Sequence, residues 1–435
     1  MDTIEGFPVL TLVYGKSGKP EDSTHHDKLK AFVAGHNIDE LMVLSHGWNN
    51  SASEARALYE GLLKHVKASL PGQPALQARK LGVLAVIWPS KRFKAFEKED
   101  GGGQFGGAAA ATSEPQIGDP VEDAKVLAEE LDEELTEAQR QTLTESAAAA
   151  IKDASAWPKF LETLETLVPT DEGDADDADA ALFGGVQNPA SALAQFDGID
   201  ADDDGGFQTG GAAGSVGRGA GGAVGSVLNF ATYYVMKRRA GKVGQHGLAQ
   251  TLAGVRTGRP GMRIHFAGHS FGARLVTMAA MSLNGQSAAA PDSMSLLQAA
   301  FSHNSFSASF PPPNKPGFFR NVMDRNCVRG PILVTHTFND IPVRVAYSIA
   351  SALSGDNASF TRKAPSQYGG LGANGAQFMG IEGVQGDLLQ TDAAGYNFAS
   401  GIVYNLKSDT FIKGHSKIRV PQVGYALVTA MATTL

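Results

Sequence analysis

Residues 262–276 leave this chain little choice of architecture. Met262 to Ala267 (MRIHFA) reads as a strand and runs directly into Gly268-His269-Ser270-Phe271-Gly272. Ala273-Arg274-Leu275-Val276 follows and suits a helix. A strand that reverses into a helix within one turn needs close approach of the two backbones. Gly268 and Gly272 lack Cβ atoms and permit it, which leaves Ser270 in a strained turn with its Oγ at the strand's C-terminal end. G-x-S-x-G is a weak pattern by itself. A strand before it and a helix after it point to an activated serine. A glycine-flanked turn with an incidental serine is the plainer alternative.

The rest of the chain alternates in the same sense. Pro8–Val13, Glu40–Ser45, Gly82–Trp88, Ser293–Phe301, Ile332–Thr337 and Gly401–Leu406 are apolar runs of strand type. Helices are expected at Leu29–Val33, at Ser51–Leu70 with Ser51 as cap, before Arg239, around Gly247–Val255 and after Pro421. Near-continuous apolar strands separated by helices specify an α/β fold, a mostly parallel sheet with helices on both faces. The length of 435 residues admits two or three domains, or one α/β domain with insertions.

Charge divides the chain. Between Glu99 and Asp204 there are 27 acidic and 4 basic side chains, a net −23, against −8 for the whole chain and hence +15 for the remainder. The acidic block is read as an insertion, residues 91–225, into a core of residues 1–90 and 226–435. Within it, Glu122–Leu167 carries Val126, Leu127, Leu131, Leu135 and Leu143 at helical spacing. Asp171–Gly225 is Asp-, Gly- and Ala-rich and reads as loop or disorder, and a Gly-rich run, Gly101–Ala111, precedes the helices.

Several classes fall away. The acidic balance lacks the basic footprint of a general nucleic-acid binder. One cysteine, Cys327, allows no intramolecular disulfide and cannot assemble a zinc site. The start MDTIEGFPVLTLVYG has no basic region before an apolar run, so a cytoplasmic protein is expected. Gly219–Val235 is uncharged, but its glycines, alanines and Asn229 suit a buried helix better than a membrane span. Asp200 to Gly205 (DADDDG) opens like a calcium loop, but Gly211 stands where the bidentate glutamate belongs, and a solvated acidic loop is the default. Gly210–Gly225 lacks the Lys-Ser/Thr ending of a phosphate-binding loop. No metal or other cofactor is expected.

An activated serine needs donors for the oxyanion. Glu40–Ser45 ends in His46-Gly47-Trp48-Asn49-Asn50, a His-Gly turn after an early strand. The backbone N–H groups of Phe271 and Trp48 are the candidate donors, the second with its register open by one residue. His46 reads as a residue orienting that loop. The acid and the base should follow the serine in that order. Asp340 lies after the strand Ile332–Thr337 and before a helix beginning near Pro342, as the acid or as a helix cap. Asp324, Asp356 and Asp387 are alternatives in loops. His415 sits in a late loop that can reach back to the elbow. Its rivals, His303 and His336, belong in or beside the sheet. His269 is too near Ser270 in sequence to serve as its base, and His25 and His26 read as a solvated pair.

SHGWNN (Ser45–Asn50), IWPS (Ile87–Ser90) and GHSFG (Gly268–Gly272), in that order, resemble the α/β-hydrolase superfamily. Within it they look most like a group of poorly characterised bacterial lipase- and esterase-like proteins, with HGYN-type oxyanion loops, a WPS after the next strand and an HSMG-type elbow. The resemblance covers residues 8–90 and 226–425 and leaves the acidic insertion outside. Similar hydrolases carry an Asn-Asp pair at the place of Asn339-Asp340 and Gly-His-Ser at the place of Gly414-His415-Ser416. The resemblance implies a serine hydrolase of carboxylic esters, an esterase or lipase with phospholipases among them. It would use a Ser270–His415–Asp340 triad without a cofactor, on a small-molecule or lipid ester and with peripheral contact to lipid. An amidase or acyltransferase would use the same triad, and a binding or scaffold protein that has lost catalysis would keep the fold. The insertion falls where such enzymes place lids; a solvated acidic appendage or a partner-docking module are the other readings. The sequence carries no sign of oligomeric state.

Overall fold

A computed structural model describes residues 2–90, 120–131, 135–168, 220–283, 289–310, 314–344, 369–392 and 395–435. Among them nine strands form a sheet. They are β1 (Thr3–Ile4), β2 (Phe7–Val13), β3 (Glu40–Ser45), β4 (Leu81–Ile87), β5 (Arg263–His269), β6 (Ser293–Leu297), β7 (Ile332–His336), β8 (Gly383–Asp387) and β9 (Val403–Lys407). Their order is β1-β2-β4-β3-β5-β6-β7-β9-β8, and every pairing is parallel except β1 with β2. The longer helices are α1 (His25–His36), α2 (Ala52–Ser69), α3 (Pro120–Glu130), α4 (Glu137–Lys152), α5 (Trp157–Leu167), α6 (Ala220–Lys242), α7 (Phe271–Ser282) and α8 (Pro421–Ala432).

The central strands are apolar along their whole length because both faces are covered. All six residues of β3 are buried. On one face Met42, Leu44, Val83 and Ala85 meet Leu62 and Val66 of α2 and Leu427 of α8. The alternating set, including Val43, Leu84, Val86 and Phe266, is buried on the other face. There α7 packs on β5 and on the helical turn Val243–Leu248. Each such side chain removed from water contributes about 1.5–3 kcal/mol. Ser51 caps α2 as the sequence suggests, its Oγ accepting from the Glu54 N–H while the Glu54 carboxylate accepts from the Ser51 N–H.

The sheet carries a buried polar cluster near the N-terminal ends of its strands. His265 on β5 lies between Ser293 on β6, with Nδ1 to Oγ at 2.8 Å, and Glu40 on β3, with Nε2 to Oε2 at 2.7 Å. Glu40 also pairs with Arg79, and Arg263 is 3.7 Å away.

The chain separates into two compact units. Residues Met1–Ser90 and Met236–Leu435 belong to the first; α3, α4, α5 and α6 as far as Val235 belong to the second. In the second, α4 packs on α3 and on α5 and buries Leu127, Leu143, Ala147, Trp157, Phe160 and Leu164. Its apolar spacing therefore marks three helices. No helix among the described residues is long and apolar enough to cross a membrane. The Gly101–Ala111 run, the calcium-like Asp200–Gly205 and nearly all of Asp171–Gly225 lie outside the described residues.

Three expectations need correcting. The strand expected over Ser293–Phe301 stops at Leu297, because Gln298 adopts a left-handed backbone with φ 47° and breaks the ladder. β8 gives no apolar signal, since Gly383–Asp387 has no buried position. His25 and His26 are not a solvated pair. His25 is buried edge-on against Tyr14, and His26 Nδ1 lies 3.0 Å from the Thr251 carbonyl oxygen.

Candidate active site

The site begins with the conformation of one residue. Ser270 has φ 56° and ψ −123°, between the last residue of β5 and the first of α7. For a residue with a Cβ this backbone costs on the order of 1–3 kcal/mol and persists only where its surroundings enforce it. Here they do. The Ser270 N–H donates to the Leu297 carbonyl at 3.0 Å, and the Ser270 carbonyl accepts from Ala273 and Ala300. A Cβ on Gly268 would collide with the Gly272 backbone, and one on Gly272 with the carbonyls of Ser45 and His46. Both glycines are thus fixed by close approach, as their spacing suggests.

Asp340 and His415 are brought together from residues 75 apart. His415 Nδ1 stands 3.0 and 2.9 Å from the two carboxylate oxygens of Asp340, with both residues buried. A carboxylate only accepts, so Nδ1 carries the proton and Nε2 is left as the basic nitrogen. Asp340 is also the cap of the helical turn at 341–344, its Oδ1 accepting from the Val343 N–H at 3.1 Å. Asp340 thus contacts both His415 and the helical turn, so the two readings the sequence offers do not exclude each other. The loop leading to His415 is held down by Asn339, whose Nδ2 donates to the carbonyls of Asp409 and Ile412.

His415 rests on the elbow itself. The His269 Nε2–H donates to the His415 carbonyl at 3.0 Å, and the two rings are 4.8 Å apart. Burial pushes His269 down to about 3, so it stays a neutral donor.

The two motifs at the ends of β3 and β4 form one hydrogen-bonded cluster. The His46 ring stacks on Trp88 at 5.4 Å; its Nδ1–H donates to the Gly47 carbonyl, and its Nε2 accepts from the Trp88 N–H. Trp88 Nε1–H returns a bond to the His46 carbonyl. Ser90 Oγ accepts from the Asn50 N–H and donates to the Asn50 carbonyl. Burial lowers His46 to about 4, so it orients the loop as a neutral ring. The loop lies against the serine: a Cβ on Gly47 would stand 2.7 Å from Ser270 Cβ. Trp48 follows, and its ring faces that of Phe271 at 6.2 Å.

The rival residues lie elsewhere. His303 is buried with Nδ1 3.1 Å from the Asn374 amide, and His336 is a sheet residue lowered to about 4 by burial. Asp324 pairs with Arg320. Asp387 is exposed at the end of β8, and Asp356 lies outside the described residues.

One residue at this site gives no sequence signal. Gln298, in the run Ser293–Phe301, donates from Nε2 to Asp340 Oδ2 at 3.1 Å and to the Gly372 carbonyl at 2.9 Å. A glutamine inside the run SMSLLQAAF is the only hint of it.

Among the described residues no group of three or more His, Cys, Asp or Glu side chains is arranged to hold a metal ion. Comparison of the chain with protein-family models, with curated proteins and with solved structures finds no match.

Proposed function

We propose that this chain is a serine hydrolase of the α/β-hydrolase fold that cleaves carboxylic esters through an acyl-enzyme. The observation that carries the reading is Ser270 in its strained strand-to-helix turn, with the buried Asp340–His415 pair docked on that turn. His415 Nε2 takes the proton from Ser270 Oγ as the oxygen attacks the ester carbonyl. Asp340 holds the ring in the tautomer this needs and stabilises the imidazolium that forms. The backbone N–H groups of Phe271 and Trp48 receive the oxyanion; one such donor is worth about 100- to 1000-fold in rate. His415 returns the proton to the leaving alcohol, and water, activated the same way, releases the acid. This reading needs no group beyond the chain's own residues.

Ser270 and His415 are only 4% and 6% exposed, so access is narrow.

The test is intact mass after a fluorophosphonate probe, on wild type and Ser270→Ala, with and without mild detergent. One adduct on wild type and none on the variant is expected, with turnover of ester substrates falling on the order of 10⁶-fold in Ser270→Ala. Folded wild type that takes no adduct in either condition would leave a binding or scaffold protein. An acyl-enzyme that passes its acyl group to an added alcohol faster than to water would make it an acyltransferase.

A further inference from the structure

Gln298 stands out because its backbone is costly and its side chain is committed. With φ 47° it is left-handed, a conformation that disfavours a residue with a Cβ. It ends β6, the strand beside the one that ends in Ser270, and the two ends are tied by the Ser270 N–H to the Leu297 carbonyl and the Ala300 N–H to the Ser270 carbonyl. The Gln298 N–H donates in turn to Thr335 Oγ1 on β7 at 3.2 Å. The left-handed turn thus sits between the elbow and the strand that carries the acid. Its amide orientation is fixed by its partners. Both the Asp340 carboxylate and the Gly372 carbonyl only accept, so the nitrogen must face them. Oε1 is buried and accepts no hydrogen bond among the described residues. An unsatisfied buried acceptor is a cost a merely space-filling side chain would avoid, and it is borne at a residue whose backbone is already strained.

We infer that Gln298 is a positioning residue for the proposed reaction: it holds the Asp340 carboxylate in place, and through it the His415 ring. The inference rests on the serine-hydrolase reading. The Asp340 oxygens accept from His415, Gln298 and Val343, so removing Gln298 takes away one of three donors. The carboxylate then turns more freely, and its negative charge is less spread. The titratable group on the elbow facing this pair is His269, a neutral ring, with the neutral His46 and the charged Arg419 close enough to act on His269.

The test compares wild type, Gln298→Leu and Gln298→Glu, each checked by thermal melt. Gln298→Leu keeps the bulk and loses the donor; Gln298→Glu keeps the shape and adds a second carboxyl. Two readouts are followed. The first is the fluorophosphonate labelling rate against pH. The second is the low-field proton resonance of His415 Nδ1–H, assigned by its loss in His415→Asn and visible whether or not the protein turns over. Losing a hydrogen bond to a charged group should slow labelling roughly 10- to 100-fold in Gln298→Leu. The acid limb of the labelling profile should move to higher pH in both variants, furthest in Gln298→Glu, and the Nδ1–H resonance should shift. Labelling within threefold of wild type with an unmoved limb and resonance would overturn the inference. So would slow labelling without either shift, which is what general loosening gives. If Gln298→Leu fails to fold, the limb and resonance of Gln298→Glu decide. A moved resonance in a protein that never labels would instead overturn the hydrolase reading and leave Gln298 as the residue that positions the pair.

Discussion

β5 has a serine, a histidine and a carboxylate gathered at each of its ends, and only one set looks able to do chemistry. At the start of the strand, Ser293, His265 and Glu40 form an unbroken chain of hydrogen bonds. At the end, roughly 13 Å along, Ser270 follows His269, whose ring donates to the His415 carbonyl, and His415 is bonded to Asp340. In a neutral imidazole the carboxylate-bound nitrogen carries the proton at both ends: Nε2 for His265, Nδ1 for His415. The histidine–carboxylate bond is common to both ends, and it does not decide the role. Ser293 lies in a regular strand, register partner of His265, so its Oγ points at a neighbour within the sheet. Ser270 lies in a turn that its neighbours hold in place, with the Gly47 loop against it and a helix starting at the next residue. Glu40 is compensated by Arg79 and Arg263, which makes the lower cluster a cross-brace between three strands. Asp340 has no cation within salt-bridge reach except His415 among the described ion pairs. The lesson is that a buried group of serine, histidine and carboxylate becomes a candidate triad through the turn that holds its serine, not through its bonds.

The comparison can be broken at several points. The largest effect should come from Asp340→Asn, which keeps the shape but favours the wrong ring tautomer. Labelling and ester turnover should fall on the order of 10⁴-fold, with the fold retained. A loss under tenfold would mean that Asp340 is a helix cap and little more.

Acid should separate the two ends next. His46 and His336 are held near 4 and His269 near 3 by burial, below the ordinary histidine value of about 6.5. The unfolded chain therefore takes up protons first as pH falls. Stability from these groups is complete above pH about 6.5 and is lost progressively toward pH about 4, up to about 3 kcal/mol for each. All three lie at or near the C-terminal edge of the sheet. Amide exchange between pH 7 and pH 4.5 should rise first around the elbow and the His46 loop. Uniform loosening, or a melting temperature flat with pH, would contradict the buried neutral rings.

The smallest effect is expected from Glu40→Gln. It removes the charge of the lower cluster, and Arg79 can turn to solvent, so the cost should be about 2 kcal/mol, below the range for a fully enclosed pair. Labelling per folded molecule should not change. A drop in labelling with the fold intact would show that the lower cluster serves the site after all.

Much of this was legible in the residues themselves. β3 is read to the residue, because a strand buried on both faces is apolar throughout, and Ser51 announces its helix through Glu54. The elbow is legible because its glycines are sterically required at a fixed spacing. Asp340 and His415 are reached through strand ends and a resemblance, since residues 75 apart give no local sign of contact. Gln298 and the burial of His25 were not legible. Each depends on what the fold sets beside it: an acid from β7 for one, the ring of Tyr14 for the other. β8 was hidden because exposed strands have no apolar pattern to read.

The strand order has a consequence during synthesis. β3 is flanked by β4, which follows it soon, and by β5, which pairs Glu40–Ser45 with Arg263–Gly268. About 175 residues separate the end of β4 from the start of β5, so at ribosomal rates the nascent chain waits roughly 10–35 s with one long edge of β3 unpaired. That edge is flat, six residues long and apolar on both faces, the kind that recruits strands from other chains. The stretch translated during the wait is the one carrying 27 acidic side chains, and their mutual repulsion works against association between half-made molecules.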